Sequence, residues 1–161
     1  MTGSPVYLAG LLLRGRDVLV VGAGRVATRR LPALLASGAR VRVVAPEVTR
    51  ELATLARDGL LLWEQAAFRD DHLGDAWYVL AATDDPAVNA TVARLAEERH
   101  TFCVRADDAD AGSAWTPATE QVDGLTVGVI GNRDPQRSKM IRDAIATALE
   151  QWISGSASTD R

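Results

Sequence analysis

Asp17-Val18-Leu19-Val20-Val21 runs directly into Gly22-Ala23-Gly24-Arg25-Val26-Ala27. A continuous apolar run of this kind suits a strand buried on both faces, as in a parallel sheet. The Gly-x-Gly-x-x-Ala pattern carries physical meaning where a strand ends and a helix begins. There Gly22 permits the tight turn, Gly24 lets a pyrophosphate approach the backbone, and Ala27 is small enough for close helix–strand packing. Free amides at the helix start, with the helix dipole behind them, would hold the phosphates. The plainer alternative is that the glycines serve only the turn.

The alternation continues along the chain. Residues 26–37 read as a helix closed by Gly38, with Pro32 acceptable only near its first turn or at a kink. Residues 41–44 form the next apolar strand, and 49–57 a helix with Thr49 as N-cap. Strands are expected at 60–63, 77–81 and 101–104. Residues 86–99 form a helix whose apolar stripe is Val88, Val92 and Leu95. Strands and helices in this rhythm imply βαβ units and right-handed crossovers. The expected fold class is α/β, a Rossmann-like doubly wound parallel sheet. After about Asp110 the character changes. Residues 113–116 and 125–130 read as two strands separated by the polar stretch 120–124. A helix over about 135–153 follows, with Ile141, Ile145, Leu149 and Trp152 as its apolar face. Two strands and a helix are too little to fold alone, so this segment must pack on the first domain or on a second copy. The expected division is therefore a nucleotide-binding domain at 1–111, a strand-pair-plus-helix segment at 112–153 and a disordered tail at 154–161.

The bulk numbers narrow the function classes. Among 161 residues, 18 are basic and 21 acidic, a net charge of −3, and 47% are hydrophobic. Such a mildly acidic globular composition gives no support for nucleic-acid binding. No apolar run approaches the roughly 20 residues that cross a bilayer, so no membrane partner is expected. One cysteine excludes an intramolecular disulfide and a cysteine-based zinc site, and two separated histidines give no metal cluster. The lone thiol, with no basic segment ahead of the first apolar residues, fits a cytoplasmic protein.

Ligands in open α/β sheets bind beyond the carboxyl ends of the strands. The glycine turn puts Gly22, Gly24, Arg25 and Val26 there, and the end of the second strand adds Pro46 and Glu47. An NAD site places a carboxylate at that strand end for the ribose hydroxyls. Glu47 is the candidate, whereas Arg25 and Arg42 would suit a 2′-phosphate, and the residues leave both readings open. Thr83 follows the fourth strand and would line the cleft, while Asp84 or Asp85 suits the cap of the helix that Pro86 opens. The fifth strand delivers Arg105, Asp107 and Asp108 to the same edge. A carboxylate there could act as a general base or orient a substrate, or simply serve the turn. Cys103 reads as a small buried hydrophobe.

Three segments in order, Val20-Val21-Gly22-Ala23-Gly24-Arg25-Val26-Ala27-Thr28-Arg29-Arg30, Ala81-Ala82-Thr83-Asp84-Asp85 and Phe102-Cys103 with Asp107, resemble the precorrin-2 dehydrogenase family, the N-terminal part of siroheme synthases. The Thr116-Pro117-Ala118 turn and the Leu125-Thr126-Val127-Gly128-Val129 strand fit as well. The resemblance implies NAD-dependent oxidation of the tetrapyrrole precorrin-2 to sirohydrochlorin, and in some members insertion of ferrous iron. It places the essential aspartate at Asp107, assisting proton removal. It implies a homodimer formed through residues from about 112 to 129. The substrate's many carboxylates would call for cations, with Arg105 first and Arg133, Arg137, Lys139 and Arg142 as further candidates. Many members have Asn where this chain has Val104, and a Ser- and Gly-rich loop where it has Ile130-Gly131-Asn132-Arg133-Asp134. The competing expectation is a nucleotide-sensing Rossmann module without tetrapyrrole chemistry.

Overall fold

The computed structural model describes residues 6–131 and 134–156. They fall into two compact units, one spanning Gly10–Trp115 and the other joining the segment before Gly10 to everything from Thr116 onward.

The first unit is built on five parallel strands. These are β1 (Asp17–Val21), β2 (Arg40–Val44), β3 (Leu62–Glu64), β4 (Tyr78–Ala81) and β5 (Phe102–Arg105), in the order β3-β2-β1-β4-β5. The central strand β1 pairs Val18 with both Val41 and Tyr78, and Val21 with Val44 and Ala81. It is covered on both faces, which is why its sequence is an unbroken apolar run. Val18 and Val20 face α1 (Arg25–Ala36) and α2 (Arg50–Arg57), packing with Ala27, Leu31 and Leu52. Leu19 and Val21 face α3 (Pro86–Glu98), packing with Val92, Leu95 and Ala96. Cys103 is buried in this second layer, and burial pushes its thiol up to about 11. At neutral pH it is a packed hydrophobe rather than a nucleophile.

Local chemistry sets the helix starts. The Thr49 side chain accepts the Leu52 N–H, and the Asp85 carboxylate accepts the Ala87 N–H at 2.8 Å, with Pro86 at the first helical position. Pro32 departs from its expected place, lying well inside α1. It has no N–H to donate to Thr28, and the complete burial of Leu31 and Ala27 holds the helix together around it.

Arg42 is tied down away from the glycine turn. Its guanidinium lies 3.3 Å from Glu64 and also donates to the His72 carbonyl, in the 3-10 turn Asp70–Leu73. His72 is buried, accepts the Arg69 N–H on Nδ1, and presents Nε2 to Glu64 at 2.8 Å. This cluster anchors the edge strand β3 and holds Arg42 at the middle of β2.

The second unit pairs β6 (Ala118–Val122) antiparallel with β7 (Leu125–Val129), against α4 (Pro135–Ser156). The first strand of this hairpin is not 113–116, as its sequence suggests. That segment instead lies along β5, where the Ala114 N–H donates to the Cys103 carbonyl and the Ser113 hydroxyl accepts the Cys103 N–H. A side chain replaces a backbone acceptor, so no ladder forms. The hairpin closes through Asp123 (φ +46) and Gly124 (φ +77), a two-residue turn with both central residues left-handed. The polar stretch 120–124 is therefore mostly strand.

α4 runs to Ser156, three residues past its expected end, so 154–156 are helical, while 157–161 lie outside the described residues. Ser138 and Ala146 are its buried positions, whereas Ile141, Ile145 and Trp152 are exposed. The small residues are the buried ones, and of the four expected apolar positions Leu149 alone is half-buried. Arg142 joins the helix to the hairpin, donating to the Thr119 carbonyl at 3.0 Å and lying 3.6 Å from Glu120. Among the described residues no helix is long and apolar enough to cross a membrane.

A Cβ at Gly124 would meet no neighbour, so the cost of Gly124→Ala is conformational alone. Urea denaturation should show a loss of about 1 kcal/mol, and a neutral result would mean the turn relaxes to another form.

Candidate functional site

The strand order reverses between β1 and β4, and the carboxyl ends of these two strands meet there without side chains between them. Gly22 has φ +94, and a Cβ on it would lie 2.4 Å from the Ala82 carbonyl oxygen and 2.8 Å from the Thr83 nitrogen. No other residue fits this contact. Gly24 is different. Its φ of −80° suits any residue, and a Cβ there would meet nothing within 4 Å. Space is thus kept free in front of the first turn of α1. That turn carries no acidic residue, and its N-cap makes no side-chain hydrogen bond. An uncapped helix start facing open space is a fitting cradle for a pyrophosphate.

The second strand's loop is drawn to this turn. The Thr49 N–H points to the Ala23 carbonyl at 3.4 Å, and the Thr28 and Thr49 hydroxyls lie 3.0 Å apart. Trp63 and Gln65 hold the Ala45 and Pro46 carbonyls, so Glu47 stands exposed on a fixed backbone. Beside it a groove of about 770 Å3 is lined by Arg25, Arg29 and Arg50, with Val26, Thr28, Thr49 and Glu51.

On the other side of the switch, Thr83 is gripped by Asn89 from the first turns of α3. The Asn89 Oδ1 accepts the Thr83 N–H at 3.0 Å and lies 2.8 Å from its hydroxyl, while Nδ2 donates to the Thr83 carbonyl at 3.0 Å. The same side chain is fully buried. Arg105 completes the line, donating to both carboxylate oxygens of Asp107 at 3.1 and 2.6 Å. The Arg105 side chain is 10% exposed and that of Asp107 26%. This fork holds the Asp107 carboxyl below the usual carboxylate range, with Asn89 adding to the effect and partial burial opposing it.

Gly22, Gly24, Arg25, Val26, Thr83, Arg105 and Asp107 therefore lie along one carboxyl edge, with Pro46 and Glu47 beside it. Asn89 was not singled out by sequence, although an asparagine on the apolar side of a helix is a visible anomaly there. Arg137, Lys139 and Arg142 belong to the second unit, and Arg133 lies outside the described residues. Among the described residues no group of three His, Cys, Asp or Glu could hold a metal ion.

Comparison with known proteins agrees with this geometry. Residues 10–118 match the family model described as "Putative NAD(P)-binding". The chain belongs to that family. It is 36% identical over 142 residues to the siroheme synthase of Citrobacter koseri, covering 88% of this chain and 31% of that one. The siroheme synthase of Xylella fastidiosa is 34% identical over 152 residues, covering 93% of this chain and 32% of the other. The chain thus spans about a third of the length of these relatives. Among solved structures it is similar to SirC, a precorrin-2 dehydrogenase, with a TM-score of 0.79 and 27% identity over 92% of this chain and 76% of that one.

The two glycines should separate cleanly. Gly22→Ala should cost roughly 3 kcal/mol or more of stability in urea, from strain and overlap together. Gly24→Ala should cost under about 1 kcal/mol yet weaken dinucleotide binding in calorimetry. Equal stability losses in the two variants would overturn this account. The Asp107 ion pair also has a pH signature. With its pKa lowered on folding, its stabilisation is complete above the ordinary carboxylate range, near pH 4, and is lost as pH falls through the folded value. The urea midpoint of Asp107→Asn should accordingly fall less steeply below pH 4 than that of the unaltered chain.

Proposed function

We propose that this chain oxidises precorrin-2 to sirohydrochlorin with NAD as the hydride acceptor. The carrying observation is that the glycine turn, Thr83 and the Arg105–Asp107 pair stand at the carboxyl ends of the adjacent strands β1, β4 and β5, which supports a carboxylate beside the dinucleotide cleft. Kinship with siroheme synthases and likeness to SirC support the choice of a tetrapyrrole substrate.

The amides of Arg25 and Val26, opened to the cleft by Gly24, hold the pyrophosphate. Glu47 accepts hydrogen bonds from the ribose hydroxyls and disfavours a 2′-phosphate, which selects NAD over NADP. When bound, the nicotinamide takes up the hydride that leaves the macrocycle. Oxidation also releases a proton, and Asp107, ionised at neutral pH, accepts it and passes it to solvent. Arg105 offers a planar donor pair to a substrate carboxylate, the same geometry it now gives Asp107.

A second copy of the chain is the proposed partner. Leu125 on the hairpin and Met140, Ile141, Ile145 and Trp152 on α4 are all more than 40% exposed. Five large apolar side chains concentrated on so small a unit suit burial in a homodimer.

Anaerobic turnover of precorrin-2 tests the reading. NADH should form with NAD, and NADP should bind about tenfold more weakly or worse, a preference that Glu47→Ala erodes. Asp107→Asn should lower kcat by about 100- to 10,000-fold while leaving NAD affinity within a few-fold. Binding of NAD with no turnover would instead favour a nucleotide-sensing module. Light scattering should report a dimer that Ile141→Glu with Ile145→Glu converts to a folded monomer, and an unaltered chain that is already monomeric would end the dimer assignment.

A further inference from the structure

We propose that the groove between the first turns of α1 and α2 is a phosphate site, where Arg25, Arg29 and Arg50 take the 2′-phosphate of NADP and make it a second, salt-sensitive cofactor. The proposal rests on the reading of the adjoining cleft as a nicotinamide dinucleotide site, and the two fail on different results.

Arg25 and Arg29 stand one turn apart on α1, so their side chains share a face. Arg50 opens α2. The two helix starts are drawn together where the Thr28 and Thr49 hydroxyls lie 3.0 Å apart and the Thr49 N–H points to the Ala23 carbonyl. Three guanidinium groups thereby ring one groove of about 770 Å3, against a single carboxylate, that of Glu51. Like charges one turn apart repel, and this chain has more acidic residues than basic ones with which to relieve them. Elsewhere it does so, pairing Arg40 with Asp17, Arg69 with Asp71 and Arg94 with Glu98. The guanidinium groups of Arg25, Arg29 and Arg50 form no hydrogen bond or ion pair among the described residues. Their repulsion is relieved when an anion enters, and their planar forks match phosphate oxygens in pairs.

The position of the groove selects the anion. It begins at the glycine turn, and its Thr49 and Arg50 follow Glu47 closely on the loop that leaves β2. That strand end is where the adenosine ribose of a bound dinucleotide lies, and an arginine nearby accommodates a 2′-phosphate. Glu47 pulls the other way, since its carboxylate suits two free ribose hydroxyls and repels a phosphate. The three arginines oppose that repulsion, but all are exposed. Salt therefore screens their attraction, over a Debye length of about 10 Å at 0.1 M. NADP accordingly approaches NAD in affinity at low ionic strength and falls behind as salt rises. NAD has no group to place in the groove and lacks this part of the salt dependence.

Calorimetric titration with NAD, NADP, adenosine 2′,5′-bisphosphate and inorganic phosphate, at about 20 mM and about 300 mM salt, tests the assignment. Across that range NADP should lose about tenfold more affinity than NAD. Arg29→Gln combined with Arg50→Gln should weaken NADP and the bisphosphate about tenfold at low salt, with NAD held within about twofold. The same pair should remove most of the extra salt dependence. Arg29→Lys with Arg50→Lys keeps the charge but loses the fork, and should retain the salt dependence with only part of the affinity. NADP that is indifferent to the glutamine pair, or that loses no more affinity in salt than NAD does, overturns the proposal and leaves the dehydrogenase reading untouched. Inorganic phosphate bound as tightly as the bisphosphate also overturns it, because the groove would then serve the free anion. Absence of NAD binding removes the dinucleotide reading and the proposal together. If both dinucleotides bind as stated and neither supports oxidation of precorrin-2, the dehydrogenase reading alone falls and the groove assignment stands.

Discussion

The backbone contact between Gly22 and the Ala82–Thr83 peptide is the constraint on which the rest of the first unit depends. Strand order reverses there, and a parallel sheet opens its cleft at such a point. The contact is possible only without a side chain, and the positive φ of Gly22 turns the chain from β1 into α1 at once. Three consequences follow from this one residue. The start of α1 is delivered uncapped to the carboxyl edge, the loop after β2 is drawn in through Thr49 and Ala23, and Thr83 is held where Asn89 can reach it. A side chain at this position would separate β1 from β4 and displace the start of α1 from the cleft edge.

The parallel sheet was legible because burial on both faces writes itself into sequence as uninterrupted apolar runs, and the glycine spacing has one steric meaning after such a run. The second unit was harder to read, for reasons that are local. Ser113 and Ala114 look like a strand because they do run beside β5, but a serine hydroxyl takes the place that a ladder would give to a carbonyl. The polarity of Thr119, Glu120 and Gln121 hides a real strand, since one side of a two-stranded sheet faces water, and Asp123-Gly124 closes the hairpin with only two residues. On α4 the apolar period was visible but its direction was not. Sequence shows that Ile141, Ile145 and Trp152 share a side, and only the packing shows that Ser138 and Ala146 are the buried residues instead. Asn89 escaped because its bonds to Thr83 form only when the chain folds back from the end of β4 into α3, and an asparagine within a helical run does not announce that turn.

The electrostatics of the site set two demands against each other. A bidentate guanidinium makes Asp107 a dependable anion and, by the same interaction, a weak base. Proton acceptance at neutral pH is favoured by a carboxylate whose affinity for protons is not suppressed. The geometry offers a resolution in the substrate itself. Arg105 is held on Asp107 by two hydrogen bonds of a kind that any carboxylate can supply. On the proposed function, a polycarboxylate substrate would compete for Arg105. The carboxylate would then be relieved of its neutralising partner, and its proton affinity would rise at the moment a substrate is present to give a proton up.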